Sequence, residues 1–276
     1  MAESVHNYAA YRDGELSWAL GRFIVPISRL DEFEACTAEL QLPRRGGRNW
    51  RLSVLGGADP KIDLEQIIDF SRRHGKSADA ADAVIDAFEW KLRSVAEIES
   101  SMSICSDRLE TYFEIPLSDD SRALIAEVAR TGGRAKVRTG GVTREMFPSP
   151  AQLAGFILLC AEARVPFKAT AGLHHPLRSI HPLTYEPSSP SGVMHGFLNV
   201  LIASAFAFAG ADVKVIEAIL REESIGAFSF DDGGIRWRDQ RLTGQQLIKM
   251  REQLFVSFGA CSFQEPTSEM KALKLI

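Results

Sequence analysis

Short runs of β-type residues alternate with helical segments along most of this 276-residue chain. Such alternation is typical of a mainly parallel sheet, because parallel strands need helical crossovers between them. The predicted strands are residues 18–27, 50–55, 87–93, 111–117 and 225–230, together with the two strands that carry Lys136 and Lys168. Seven strands are one fewer than a (β/α)₈ barrel contains. We therefore predict an α/β chain with a single domain over residues 1–276, a TIM-type barrel that lacks its first strand, and keep an open doubly wound sheet as the alternative.

The absent first strand leaves a gap in the predicted barrel. That gap could stay open, or it could be filled by other residues or by a neighbouring molecule, so a homo-oligomer is among the expectations. One long segment, residues 177–192, is rich in proline and serine and is predicted to be an irregular loop. Loops of that length in compact domains are usually functional or mobile.

The composition is that of an ordinary soluble protein, with 45% hydrophobic and 25% charged residues. A net charge of −4 gives no electrostatic reason to expect nucleic acid as a partner. The four cysteines form no Cys-x-x-Cys pair, which favours reduced thiols. The most apolar run, residues 197–210, is too short to span a bilayer and is predicted to be a buried helix. No signal peptide is recognised, so we expect a cytoplasmic protein that does not interact with membranes.

The stretch from 134 to 176 has the strongest functional signal. Two β-type runs, one with Lys136 and Arg138 and one with Lys168, flank a helical segment, and each run then breaks into glycine. In parallel α/β proteins, ligands bind outside the carboxyl ends of the strands. Cations at both strand ends therefore predict a binding or active site here, because burying charge without a partner is costly.

Strand alternation extends this prediction to a cluster. Successive side chains on a strand point to opposite faces, so charged residues two apart share a face. We expect the polar faces to point into the upper interior of the barrel. The cluster so predicted contains Glu89, Lys91, Glu114, Lys136, Arg138, Lys168 and Thr170.

Two interpretations of this cluster remain open. It could be a buried ion-pair network without chemistry, although such pairs are often neutral or unfavourable for stability. Alternatively, two neighbouring lysines disfavour protonation of each other, which frees an amine nucleophile.

The motifs Lys136-Val137-Arg138-Thr139-Gly140 and Lys168-Ala169-Thr170-Ala171-Gly172 resemble the paired-lysine strands of class I aldolases. The deoxyribose-phosphate aldolase group is the most similar in layout, over about forty residues. The resemblance implies that Lys136 forms a Schiff base, that Lys168 tunes its reactivity, and that Glu89 or Glu114 relays protons. It implies no cofactor.

The chain departs from that family pattern in three places. Arg138 stands where a small hydroxyl residue is usual, and Ala171 replaces a glycine. The glycine- and serine-rich phosphate loop expected on the last strand is absent, since residues 227–232 are acidic there. Arg138 can instead bind a carboxylate, which indicates an oxo-acid substrate rather than a sugar phosphate.

Histidines follow the second lysine strand. His174 and His175 are predicted to contact substrate, together with Lys91, Arg138 and Thr170. No metal-binding spacing motif occurs, and we predict no metal, although a metal-dependent lyase or hydrolase using His174 or His175 stays an alternative.

We therefore predict a lyase or aldolase that acts on a small carbonyl or oxo-acid compound. The main alternative is a barrel that binds an anionic metabolite without catalysis.

Overall fold

The computed structural model describes residues 1–39, 50–74, 83–91, 94–105 and 109–276. Within them the chain divides into two compact units, Met1–Phe113 and Glu114–Ile276. Both units combine helices with parallel strands, which confirms the predicted mixed α/β class. The prediction of one domain over the whole chain stays a prediction.

The first unit alternates helices and strands. Its strands follow the order β1-β2-β3-β4, and β1, β2 and β3 pair in parallel. The last residue of β4, Glu114, opens the second unit. Its elements are α1 (Ala2–Arg12), β1 (Phe23–Pro26), α2 (Leu30–Glu39), β2 (Trp50–Leu55), α3 (Pro60–His74), β3 (Ala83–Lys91), α4 (Val95–Met102) and β4 (Glu110–Glu114), with 3₁₀ turns at Ser17–Ala19 and Ile27–Arg29.

An aromatic cluster holds the helices of the first unit against its strands. Trp50 at the start of β2 stacks on Tyr8 of α1, with ring centroids 4.9 Å apart. Phe33 of α2 meets the same indole edge-on at 5.4 Å. Large aromatic side chains bury more area than any others, so this cluster is the main hydrophobic anchor of the amino-terminal helices.

The second unit contains a parallel ladder and two small antiparallel sheets. The parallel strands follow the order β5-β6-β12, the hairpin is β7-β8, and the three-stranded sheet is β11-β10-β9. Its elements are α5 (Ser121–Thr131), β5 (Arg134–Arg138), α6 (Pro150–Ala163), β6 (Phe167–Thr170), β7 (Ser179–Pro182), β8 (Ser191–Met194), α7 (Phe197–Phe208), α8 (Val213–Arg221), β9 (Phe228–Asp231), β10 (Gly234–Trp237), β11 (Gln240–Thr243), α9 (Gly244–Gln253), β12 (Phe255–Gly259) and α10 (Gln264–Ala272), with 3₁₀ turns at Arg144–Met146 and Ile225–Ala227.

The structure corrects the last predicted strand. Residues 225–230 do not join the parallel ladder, because Ile225–Ala227 is a 3₁₀ turn and Phe228–Asp231 pairs antiparallel with β10. The strand next to β6 is instead β12, where Phe255 pairs with Phe167 and Phe258 with Ala169. The apolar pattern of residues 242–258 by itself predicts one continuous helix, but α9 ends at Gln253.

Other boundaries moved as well. The first strand, predicted over 18–27, is only Phe23–Pro26, and Trp18 is exposed. The third strand ends at Lys91, and residues 92 and 93 of its predicted span lie outside the described residues. The segment 177–192 is not wholly irregular, since β7 pairs with β8 at its two ends.

Two apolar helices bear on the membrane prediction. α7 is buried along most of its length, which confirms the predicted buried helix. Among the described residues, one stretch, Arg144–Ala163, passes a test of length and composition for a membrane span, with 28% of its window buried. This is a weak indication, because core helices have the same composition, and α6 itself has 14 residues against the roughly 20 that a span needs. The prediction of no membrane partner stays a prediction.

Candidate functional site

The two lysines that dominated the sequence pattern lie side by side on neighbouring strands. Lys136 on β5 is the register partner of Lys168 on β6. Paired residues on adjacent parallel strands have side chains on the same face, with the strands about 4.8 Å apart. Lys136 is 6% exposed and Lys168 is 5% exposed. The second unit therefore brings two amines together in a poorly hydrated place.

A carboxylate accompanies the lysine pair. Nζ of Lys136 lies 2.8 Å from Oε2 of Glu114, the last residue of β4. The next residue, Ile115, donates its amide hydrogen to the carbonyl of Lys136 at 2.8 Å, which fixes the chain beside β5. Glu114 is thus in direct contact with one of the two amines, within the distance needed for proton transfer.

The remaining members of the predicted cluster differ in how deeply their side chains are buried. Glu89 is buried in the first unit, where its Oε1 accepts a hydrogen bond from Ser53 Oγ at 2.6 Å. Lys91 is exposed at the end of β3. Arg138 is also exposed, and its Nε donates to the carbonyl of Gly140 at 2.9 Å, so the guanidinium folds back over the turn after β5. Thr170 is half-buried. The structure does not bring Lys91 or Arg138 into a buried cluster.

The turns that follow β5 and β6 lock together. Thr139 is buried, and its hydroxyl donates to the carbonyl of Ala171 at 2.6 Å. A Cβ added to Gly140 would lie 2.8 Å from Cα of Gly172 and 2.7 Å from the ring of Phe147, so only glycine fits. Ala171 has φ +66°, a left-handed conformation that glycine adopts more easily. The sequence pattern had assigned no role to Thr139.

The histidine pair is held by a helix that the sequence pattern missed. Residues 264–272, where the sequence pattern predicts no helix, form α10. His174 Nδ1 lies 2.8 Å from Glu265, and His175 Nδ1 lies 2.6 Å from Glu269. The two glutamates are four residues apart and so share one helix face, a spacing that could have indicated the helix.

Each histidine of the pair contacts a carboxylate, and the two rings are tilted against each other with centroids 6.3 Å apart. His175 also stacks on His181, with ring centroids 3.3 Å apart. Among the residues that the structure describes, no group of three or more His, Cys, Asp or Glu side chains is arranged to hold a metal ion. The metal-dependent alternative gains no support from this arrangement.

A separate cavity of about 300 Å³ lies beside the turn after β5. Its lining includes Arg144, Phe147, Ser149, Arg178 and His195. Ser149 caps α6 in a capping box with Gln152, so the positive end of that helix dipole meets the cavity. Arg144 adds a positive charge to the lining, whereas Arg178 is paired with Glu223.

His195 is among the residues that line this cavity. Its Nε2 donates to the carbonyl of Pro148 at 2.7 Å, and its Nδ1 is buried with no hydrogen-bond partner among the described residues. Burial lowers the pKa of His195, and the charge of Arg178 adds to that effect. A neutral ring that donates through Nε2 presents a lone pair at Nδ1, which suits a ligand with an O–H or N–H group.

Neither a scan against models of protein families nor a comparison with curated proteins finds a match for this chain.

Proposed function

We propose that this chain is a lyase of the aldolase type that acts on a small carbonyl or oxo-acid compound through a lysine Schiff base. The observation that carries the proposal is the register pairing of two buried lysines, Lys136 and Lys168, at the ends of parallel strands. The fold proposed with it is the TIM-type barrel lacking its first strand. The parallel ladders of both units support that fold, and an open doubly wound sheet stays the alternative.

The chemistry follows from the contact between Lys136 and Glu114. Glu114 accepts a proton from the ammonium of Lys136 across 2.8 Å, which leaves an amine that attacks the carbonyl carbon of the substrate. The carbinolamine that forms loses its hydroxyl group as water when Glu114 returns the proton, and an iminium ion results. The positive iminium then draws in the electron pair of the carbon–carbon bond that breaks, while the ionised Glu114 takes the proton of the substrate's β-hydroxyl group and that fragment leaves as a carbonyl compound. The enamine on Lys136 receives the proton at carbon, and water hydrolyses the resulting iminium to release the second product and the free lysine. Glu89, the other carboxylate suggested by the sequence, stays a prediction.

Lys168 has a supporting role in this scheme. As the register partner of Lys136, it places a second amino group on the same face of the ladder, next to the proposed nucleophile. Arg138, exposed at the end of β5, keeps its Nη groups without a partner among the described residues, so they can bind the carboxylate of an oxo-acid.

Borohydride trapping tests this proposal. The protein would be incubated with acetaldehyde, pyruvate or dihydroxyacetone, reduced with sodium borohydride and mapped by peptide mass. We expect an adduct on Lys136 that the variant Lys136→Met abolishes. The exposed Lys214 on α8 offers the matched control, since Lys214→Met should leave the adduct intact. Absence of an adduct on both Lys136 and Lys168 across the panel would overturn the proposal.

A second candidate function is the binding of a small anionic metabolite without catalysis. The cavity favours it, because Arg144 and the amino end of α6 can neutralise a carboxylate or phosphate, whereas Arg178 is already paired with Glu223. Nδ1 of His195 has no hydrogen-bond partner among the described residues. It therefore favours an anion that also carries a hydroxyl group.

Calorimetric titration with hydroxy-carboxylates and phosphate monoesters distinguishes the two functions. For the binding function we expect an affinity that Arg144→Gln removes and that Lys136→Met leaves unchanged. Arg122→Gln, on the exposed face of α5, is the matched control for charge. No binding by the wild-type protein across the panel would exclude this second function.

A further inference from the structure

Cys261 lies in the loop between β12 and α10, in contact with a histidine and a tyrosine. Its Sγ is 3.8 Å from both Nδ1 and Nε2 of His174 and 3.6 Å from the hydroxyl of Tyr185. The cysteine is exposed. An accessible thiol beside an imidazole is the usual setting of a reactive cysteine.

Glu265 completes the arrangement. One oxygen, Oε2, lies 2.8 Å from Nδ1 of His174 and accepts from the hydroxyl of Tyr185 at 3.1 Å. The carboxylate thereby orients the imidazole and stabilises its protonated form. Cys261 contacts His174, and His174 contacts Glu265. Cysteine nucleophile sites have the same succession of nucleophile, base and orienting carboxylate.

The electrostatics agree with this geometry. Contact with Cys261, helped by Glu265, raises the pKa of His174 to about 9, although burial opposes that change. His174 in turn lowers the pKa of the Cys261 thiol, with a further contribution from Tyr185. The pair therefore favours an imidazolium beside a thiolate. The start of α10, three residues further on, adds the positive end of a helix dipole.

The other cysteines are in different surroundings. Burial raises the pKa of Cys105 and raises that of the fully buried Cys160 well above its usual value. Cys36 is half-buried on α2. Cys261 is thus the cysteine that the structure prepares for reaction.

We propose that Cys261 is a thiol-modification site that exchanges with small disulfides. Its Sγ thiolate attacks one sulfur of the disulfide, a new S–S bond forms on Cys261, and the original S–S bond breaks. The other half leaves as a thiolate and takes the proton of the His174 imidazolium. The disulfide is the oxidant, and the chemistry does not involve the lysine pair.

The test measures the rate at which oxidised glutathione modifies each cysteine of the full-length protein, by quenching and peptide mass mapping from pH 5 to pH 9.5. We expect Cys261 to react at least tenfold faster than Cys105 at pH 7. The rate should rise with a midpoint below the value of about 8.5 for an unperturbed cysteine. Cys261→Ser should remove the fast reaction.

A histidine variant separates the electrostatic role from a structural one. His174→Asn should move the midpoint of the rate profile to higher pH. The reaction at pH 7 should slow about tenfold for each unit by which the pKa of the Cys261 thiol rises. Near pH 9.5 the rates of the variant and the wild-type protein should converge. His6→Asn, exposed on α1, is the matched control and should leave the profile unchanged. The wild-type profile is informative even where a variant folds poorly. The proposal is wrong if Cys261 reacts no faster than Cys105 at pH 7, or if a folded His174→Asn protein keeps the wild-type midpoint.

Discussion

Lys136 lies opposite Lys168 in the ladder between β5 and β6, and Nζ of Lys136 contacts the carboxylate of Glu114 at 2.8 Å. A carboxylate from the neighbouring strand thus compensates part of the positive charge that the two lysines bring into a buried place. The contribution of this ion pair to stability is testable apart from any activity, because removal of one partner of a buried pair is usually destabilising.

We expect Glu114→Gln to destabilise the protein by about 1 to 3 kcal/mol, because the ammonium of Lys136 loses its charged contact with Glu114. A double-mutant cycle with Lys136→Met isolates the interaction. The double variant should be less destabilised than the sum of the two single variants by at least about 1 kcal/mol, as measured by urea denaturation. Simple additivity of the two changes would show that the contact contributes nothing to stability.

The junction of the turns after β5 and β6 gives a second prediction. Gly140→Ala should destabilise the protein by about 1 to 3 kcal/mol, because its Cβ would overlap Phe147 and the backbone of Gly172. Gly155→Ala is the matched control, since a Cβ there, within α6, meets nothing within 4 Å. The control should stabilise the protein by up to about 1 kcal/mol, as alanine favours a helix interior. Thermal unfolding of both variants decides the matter, and an unchanged melting temperature for Gly140→Ala would contradict the close approach of the turns.

The strands that carry the lysines could be predicted because their signals are local. β-type residues, a lysine two residues from another cation, and a glycine break occur within a few positions of one another. The pairing of β12 with β6 is a long-range choice. Residues 242–258 begin with a helical signal, the capping box of Thr243 and Gln246, and contain no glycine or proline after Gly244, the first residue of the helix. Nothing local therefore marks the change from α9 to β12.

The site was only partly predictable for a similar reason. Strand alternation correctly placed Lys136 and Lys168 on one face, but it could not determine which long side chains fold back to the surface, as Arg138 does over Gly140. The surroundings of Cys261 depend on residues 76 to 87 positions earlier in the chain, Tyr185 and His174. Contacts of that separation leave no periodic pattern in the sequence.

Asn199 gives a third prediction, at a junction of three elements. This fully buried residue of α7 accepts from the amide of Arg178, and its Nδ2 donates to the carbonyls of Ile219 and Glu222. Asn199→Ala removes all three hydrogen bonds and leaves buried backbone groups without these partners. We therefore expect a loss of about 3 kcal/mol or more in the free energy of unfolding.

Ser204→Ala is the control for this change, because Ser204 is equally buried on α7 but bonds only to Val200 within its own helix. We expect the control to shift stability by less than about 1 kcal/mol. Urea denaturation of both variants gives the comparison. Equal losses would mean that Asn199 acts by filling volume rather than by joining α7 to α8 and to the start of β7.

The last prediction concerns acid stability and follows from His195. Burial lowers the pKa of this residue below its unfolded value, so at low pH the unfolded chain binds a proton that the native protein excludes. The stabilisation from neutral His195 is therefore fully present above about pH 6.5 and is lost as the pH falls through the lower native pKa. We expect the free energy of unfolding, measured in urea between pH 7.5 and pH 4.5, to fall less steeply in His195→Gln than in the wild-type protein. His6→Gln, exposed on α1, should keep the wild-type slope. A wild-type slope in His195→Gln would mean that other groups account for the acid sensitivity, among them His181, whose pKa is also lowered by burial.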